Sequence, residues 1–458
     1  LHELRHSFPT RRSSDLIHNT SITNIDNPTI TSIEMDSRKV TPGCLFICVK
    51  GFTVDGHDFA SKAVENGAVA ILSEIDLKLS VPVVKVNDTK RAMAILVDVF
   101  YQQPSHQLHL IGVTGTNGKT TTTHLIESVF QKNKINTGMI GTINMKIKGK
   151  TYPTSNTTPE IIVLQQMFHR MLEEDVKAVV MEVSSHALDL GRVRGCDFDV
   201  AVFTNLTQDH LDYHNSMEEY KYAKGQLFSS LGNSYNFSKP KFAVLNEDDP
   251  ASELYKKLTA GEVVTYGIDN ECDYLAKNIQ MSPKGTTFEL CYQENTIVVQ
   301  MKLVGKFSVY NVLACIAACH VSNIPMETII EAIEEIEGVS GRYELVDEGQ
   351  EFSVIVDYAH TPDSLENVLS TSKQLVKGEL YCLIGCGGDR DRTKRPLMAQ
   401  AAVKYSDIPI FTSDNPRTED PDQIFADMEL GVEGKSYKVI KDRKEAIEHA
   451  IKNAKSGD

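Results

Sequence analysis

Continuous apolar runs, rather than alternating ones, set the rhythm of the middle of the chain. Leu108–Val113, Ala178–Val183, Val200–Phe203 and Phe242–Leu245 are largely apolar on both faces of the strand each would form, with helical patterns between them. Strands of that kind belong to a parallel sheet covered by helices. Ahead of them, shorter β-rich runs at Cys44–Val49, Val69–Leu72 and Val81–Val86 alternate with helix-like stretches such as Phe59–Asn66, which predicts a smaller α/β unit. A Tyr-Gln-Gln-Pro-Ser turn at residues 101–105 separates the two. Gly338-Val-Ser-Gly341 opens a third section, with buried-type strands expected at Ser353–Val356, Leu380–Ile384 and Pro409–Thr412. No internal repeat or low-complexity segment interrupts this order.

Unusual polar groups follow these strands almost at once. GTNGKTTT comes after the first of the middle runs, Glu182 and Ser184 fall within the second, and the stretch from Asn205 to His214 follows the third. The last section repeats the arrangement with Asp357-Tyr-Ala-His360, Gly387-Gly-Asp-Arg390 and Asp414-Asn-Pro-Arg417. Ligands of open parallel sheets bind beyond the carboxyl ends of strands, so these clusters predict a site between domains. The expected fold class is α/β with three domains: a small N-terminal α/β domain (residues 17–105), a central domain with a P-loop-type parallel sheet and helices on both faces (106–338), and a Rossmann-like C-terminal domain (339–458).

Charge and composition narrow the function. With 47 basic and 62 acidic side chains among 458 residues, the net charge is −15, which argues against a nucleic-acid partner held on a broad basic face. No apolar run is long enough to span a bilayer. Anionic ligands must therefore be met by local sites. Nine cysteines, three pairs of them at i,i+4 (Cys44/Cys48, Cys315/Cys319, Cys382/Cys386), lack metal or redox spacing and read as reduced, mostly buried thiols of a cytoplasmic protein. The first sixteen residues, LHELRHSFPTRRSSDL, have neither an initiating methionine nor the apolar core of a secretory signal, and read as a foreign leader. The chain stops at Lys455-Ser-Gly-Asp458 after a helical segment where a strand would be natural, which predicts truncation.

Gly115, Thr116, Asn117, Gly118, Lys119, Thr120 and Thr121 sit between a strand and a helix, where backbone N–H groups cradle phosphates. Lys119 supplies a point charge and Thr120 a hydroxyl to Mg²⁺, although Val113 stands where a strict phosphate-loop pattern has its first glycine. Glu182 at a strand end and His210 after the neighbouring strand are candidates to meet one Mg²⁺. Lys224, in EEYKYAKGQLF, reads by itself as an exposed helix lysine. Arg390 and Arg417, in two loops of the last section, make a carboxylate fork if they converge.

Taken together, GTNGKTTT, MEVSSHALDLGRV, NLTQDHLDYH, the Lys224 helix, GRYE at 341–344, VDYAHTPDSL and GCGGDRDRTKRPLM resemble, in order, the Mur ligases, ATP-dependent amide-forming enzymes of peptidoglycan precursor synthesis. The likeness runs from about Thr31 to Glu448. It implies that Ser37, Thr53 and Val54 face the uridine nucleotide, and that Asn156, Thr157, Thr158, Ser184 and Arg192 hold the sugar-peptide. Lys224 would be carbamylated to N6-carboxylysine, an anionic oxygen ligand that joins Thr120, Glu182 and His210 around Mg²⁺, with Lys119, Lys224, His210 and Glu182 as the catalytic set. Asn311, Arg342 and Asp357 would surround ATP, and Ser308 stands where relatives often have Asn. Arg390, Asp414, Asn415, Pro416 and Arg417 would receive the amino acid. DNPR further resembles members that add meso-2,6-diaminopimelate to the D-glutamyl side chain of UDP-N-acetylmuramoyl-L-alanyl-D-glutamate through an acyl phosphate: Arg417 attracts the far carboxylate of diaminopimelate and repels the ammonium of lysine. The partners implied are small molecules, the UDP-sugar dipeptide and diaminopimelate, with no nucleic acid, no membrane insertion and a monomeric chain. The alternatives are a lysine-adding counterpart, a folylpolyglutamate synthase-like ligase, a P-loop ATPase coupling hydrolysis to movement, and an inactive fragment, because the family pattern expects a further Gly- and Glu-containing acceptor loop.

Overall fold

A computed structural model describes residues 6–7, 21–23, 27–51, 54–154, 156–233 and 239–458. They form two compact units. The first unit takes residues 1–109 together with 158–176 and 186–197. Its five-stranded sheet runs Ser21–Thr23, Val83–Lys85, Ala68–Ser73, Cys44–Ile47, Ser32–Glu34, parallel except where the first of these meets the second. Cys44–Ile47 is buried at every position, and successive residues serve opposite faces. Cys44 and Phe46 pack with Ala60 and Ala63 of the helix Ala60–Glu65. Leu45 and Ile47 pack instead with Ala92, Met93, Leu96 and Val97 of the helix Thr89–Phe100. Ile161 and Ile162, from the much later helix Ile161–Glu173, complete that second core.

The second unit comprises residues 110–157, 177–185 and 198–458. Eleven strands form its sheet, in the order Lys150–Tyr152, Met145–Ile147, Thr137–Ile140, Ala178–Glu182, His109–Thr114, Val200–Phe203, Phe242–Asn246, Glu262–Gly267, Tyr274–Ser282, Gly285–Tyr292, Asn295–Met301. The four apolar runs singled out above are neighbours at its middle. One face is covered by the helices Lys119–Lys132, Lys306–Val321 and Met326–Glu335; Phe228 and Tyr255, from the helices Met217–Ser229 and Ser252–Leu258, stack on one another and meet Phe203 edge-on. Apolar residues all round Lys306–Val321 match a helix enclosed on every side.

In the same unit, Tyr381–Ile384, Ile408–Phe411 and Lys438–Val439 make a three-stranded parallel sheet. The helices Pro362–Leu375, Lys394–Tyr405 and Pro421–Glu429 supply one core against it, and Ala446 and Ala450 of Arg443–Asn453 pack against Ile410. The run Ser353–Val356 departs from expectation. Val354–Val356 pairs antiparallel with Glu344–Val346 in a separate ribbon, leaving Val356 47% exposed. A partner strand a few residues upstream closes a short loop, which costs less entropy than joining a distant sheet. All nine cysteines are free thiols and six are buried, as their spacing predicted. Among the described residues no helix is long and apolar enough to cross a membrane.

Candidate active site

The strand His109–Thr114 runs directly into the glycine-rich turn, and the helix Lys119–Lys132 leaves it. Gly118 has φ +87°, and a Cβ there would collide with Asn311 Oδ1; one on Gly115 would collide with Thr204 Oγ1. The turn is fixed by the end of the neighbouring strand. Asn205 O accepts from Thr116 N at 2.8 Å, Asn205 Oδ1 accepts from Asn117 N at 2.9 Å, and Thr204 Oγ1 donates to Asn117 O at 2.6 Å. Lys119 Nζ donates to Gly115 O and Thr116 O at 2.9 and 2.8 Å. Burial pushes its pKa down, against the pull of Glu182 and Asp209. The helix start, with Thr120 and Thr121 buried in its first turn, presents N–H groups that lack intrahelical acceptors, a ready anion site.

Glu182 ends its strand at 1% exposure. Its Oε1 accepts from Thr120 Oγ1 at 3.1 Å and Thr142 N at 2.7 Å, while Oε2 accepts from Thr142 Oγ1 at 3.0 Å. Thr157 Oγ1 lies 3.1 Å from Thr142 Oγ1. Lys224 overturns the exposed-helix expectation: it is 1% exposed, donates from Nζ to Gly115 O at 2.8 Å, and lies 4.3 Å from the Tyr220 ring centroid. Its helix turns this face inward against the glycine-rich turn, so one carbonyl receives both Lys119 and Lys224. Burial, and then the Lys119 charge, drive the amine far below its ordinary value. His210, at left-handed φ +56°, sits with Nε2 3.4 Å from Asp209 Oδ2.

Among the described residues no three His, Cys, Asp or Glu side chains gather as a metal cage. The Thr120 hydroxyl and Glu182 carboxylate are hard oxygen donors beside an anion site, a set that fits Mg²⁺, which takes few protein ligands and keeps phosphate and water for the rest.

Residues far along the chain join this loop. Arg342 Nη2 donates to Thr120 Oγ1 at 2.9 Å, its guanidinium 4.6 Å from the Tyr358 ring centroid. Asn117 Nδ2 donates to Asp363 Oδ2 at 3.0 Å. Asp357 orders the segment carrying Arg342, accepting from Tyr343 N and Ala359 N, each at 2.7 Å. Burial raises its carboxyl, an effect those hydrogen bonds oppose. Thr122 Oγ1 reaches Asn311 Oδ1 at 3.5 Å, and Ser308 Oγ, in the first turn of Lys306–Val321, donates to Val304 O just ahead of that helix at 2.8 Å. Asp209 and His360 lie in polar clusters that the sequence marks without assigning either residue a role, and Lys394 carries no mark of its own. The buried Asp209 carboxylate lies 3.3 Å from Lys394 Nζ and 3.5 Å from His360 Nε2. Burial alone would raise it, but the His360 hydrogen bond and the charges of His210, Lys394 and His360 hold it well below the usual range. Only its place beside His210 in TQDH hinted at a role.

The acceptor candidates form one assembly. Arg417, at φ +51°, is exposed and donates from Nη1 to Gly388 O at 2.5 Å, while Gly388 N donates to Asn415 O at 2.9 Å. A Cβ on Gly388 would collide with Pro416 O, so the Asp414–Arg417 loop lies directly on the turn that carries the exposed Arg390.

Of the remaining candidates, Asn156 is exposed and its carbonyl accepts from Thr154 Oγ1 at 2.6 Å, and Ser184 is half-buried just beyond the Glu182 strand. The others belong to the first unit. Arg192 donates to Thr158 O at 3.1 Å and pairs with Glu160 at 2.5 Å. Ser37 is buried in a short turn capped by Asp36, and Val54 is 54% exposed. Thr53 lies outside the described residues.

The chain matches the Mur ligase family catalytic domain over residues 29–101, the Mur ligase middle domain over 113–319 and the Mur ligase glutamate ligase domain over 341–458. It is 61% identical over 434 residues to UDP-N-acetylmuramoyl-L-alanyl-D-glutamate–2,6-diaminopimelate ligase of Geobacillus thermodenitrificans, covering 94% of this chain and 89% of the relative. A solved structure of a ligase of that same name superposes with a TM-score of 0.72 at 35% identity, over 99% of this chain and 92% of the other. A Mycobacterium tuberculosis folylpolyglutamate synthase, solved with ADP and AMPPCP, shares the fold at a TM-score of 0.63 and 16% identity, over 78% of this chain and 87% of the other.

Proposed function

The chain belongs to the Mur ligase family, and we propose from that premise that it joins meso-2,6-diaminopimelate to the D-glutamyl side-chain carboxylate of UDP-N-acetylmuramoyl-L-alanyl-D-glutamate, at the expense of ATP, in peptidoglycan precursor synthesis. The observation that carries this reading is the DNPR loop, locked against the Gly387–Arg390 turn in a chain 61% identical to a ligase of that name. In the first step the carboxylate takes the γ-phosphoryl group, giving an acyl phosphate and ADP. In the second the diaminopimelate amine attacks the acyl carbon, phosphate leaves, and the amide nitrogen sheds a proton.

The protein's contribution is positioning and charge compensation. The turn 115–118 and the first turn of its helix hold the phosphates, and Lys119 faces the charge that builds on the transferred group. Arg342, stacked on Tyr358 and bonded to Thr120, adds a second cation over the same loop and helps exclude water that would hydrolyse the acyl phosphate. Mg²⁺, held by Thr120, Glu182, His210 and carbamylated Lys224, would supply electrostatic stabilisation of the phosphoryl oxygens. Arg390 and Arg417 orient the amino acid, while Ser37, Val54, Asn156, Thr157, Thr158, Ser184 and Arg192 serve the UDP-sugar dipeptide. We place this chemistry in the cytoplasm, on a monomer.

Phosphate release with ATP and the UDP-sugar dipeptide, comparing diaminopimelate with lysine, tests the assignment; equal rates with both amino acids would defeat it. Arg417→Ala should lower kcat/KM for diaminopimelate by about 10–100-fold, the worth of one charge-assisted hydrogen bond, with KM for ATP unchanged. Near-normal use of diaminopimelate by that variant would remove Arg417 from the acceptor site.

A further inference from the structure

Arg395 is the largest fully buried side chain of the described residues, and it has no place in the reaction above. Its guanidinium forks onto Glu419, Nη2 to Oε1 at 2.8 Å and Nη1 to Oε2 at 3.0 Å. Nη1 also donates to Asp427 Oδ2 at 2.8 Å, and Nη2 to Gly387 O at 3.2 Å. One side chain thus ties together the turn that carries Arg390, the segment just after Arg417, and the helix Pro421–Glu429.

The tie continues outward on both sides. Glu419 Oε1 accepts from Asp389 N at 2.6 Å, and the Asp389 carboxylate accepts from Thr418 N at 3.1 Å and Thr418 Oγ1 at 2.8 Å. Asp389 and Arg417 both hold left-handed backbone, at φ +50° and +51°, conformations that persist in non-glycine residues only where neighbours enforce them. Arg390 follows one of these positions and Arg417 is the other. A planar fork fixes both distance and angle between its carboxylate and its own backbone, which an ammonium cannot do.

We infer that Arg395 is a positioning residue for acceptor specificity: through Glu419 it sets the separation of Arg390 and Arg417, and so tunes the site to an amino acid with a carboxylate on its far carbon. This deepens the functional reading above and rests on it.

The test uses the full chain and the variants Arg395→Lys and Glu419→Gln, with Arg417→Ala as a reference, each checked by circular dichroism and thermal melting. The two positioning variants are expected to raise KM for diaminopimelate by about 10-fold, the loss of one charge-assisted hydrogen bond's worth of placement, and to lower the preference for diaminopimelate over lysine. KM for ATP and for the UDP-sugar dipeptide should stay within about twofold, a split that general destabilisation would not produce. Glu419→Gln, partly exposed and isosteric, keeps the test open if Arg395→Lys folds poorly. A diaminopimelate KM within twofold of wild type in a folded variant, or a parallel rise in all three KM values, overturns this inference alone when Arg417→Ala still impairs diaminopimelate use. Wild-type indifference between diaminopimelate and lysine overturns the functional reading, and this inference with it.

Discussion

Replacing Lys119 by alanine should lower kcat by about 10³-fold, the cost of removing a preorganised charge from a site where charge develops, while leaving the fold intact. The fold should survive because the turn does not depend on this side chain. Asn205, Thr204 and the steric limits at Gly115 and Gly118 already fix residues 115–118, and the two carbonyls that Lys119 touches lie within that same turn. Lys119→Arg should rescue little, since a broad guanidinium does not replace a compact ammonium packed against two carbonyls. Steady-state phosphate release and ADP binding by calorimetry separate the effects. A variant with kcat within tenfold of wild type would move the phosphoryl-transfer charge elsewhere, to Arg342 first.

The glycine-rich turn between its strand and helix was legible because its signal is local: a buried strand, two glycines and GKT within a dozen residues. The same holds for the central strands, whose apolar runs reflect burial on both faces, and for Glu182, a lone carboxylate at the end of one of them. What stayed hidden depends on segments meeting across long stretches of chain. Asp209 takes its meaning from His360 and Lys394, which come from other parts of the fold. Arg395 resembles any helix-start arginine until Glu419, Asp427 and Gly387 close around it. Lys224 was misread from its own helix for the same reason: a lysine between alanine and glycine in an acidic-start helix carries no local mark of burial. The meander Tyr274–Met301 went unpredicted because its strands are alternately exposed and buried in part, without the continuous apolar runs of the sheet centre.

Lys224→Met is expected to abolish most activity, by about 10²–10³-fold, and at the same time to raise the melting temperature by roughly 1–3 °C. The two effects share one cause. Burial drives the Lys224 amine far below its ordinary value, so between that depressed value and the ordinary lysine value the folded chain binds fewer protons than the unfolded one. Between the depressed pKa and the ordinary lysine value the unfolded state therefore carries more protons, and stability rises with pH across that window and is lost as pH falls through it. Methionine removes this penalty at neutral pH and flattens that part of the profile. The same depressed pKa makes the amine a nucleophile for CO₂: its lone pair forms the N–C bond, its proton departs, and the product is an anionic oxygen donor beside Gly115. On the proposed reading, wild-type enzyme in CO₂-depleted buffer at pH 6.5 should lose activity and regain it with bicarbonate, and ¹³C-labelled bicarbonate should give a carbamate resonance absent from Lys224→Met. An active methionine variant, or one that melts well below wild type, would show that Lys224 is retained for packing rather than for chemistry.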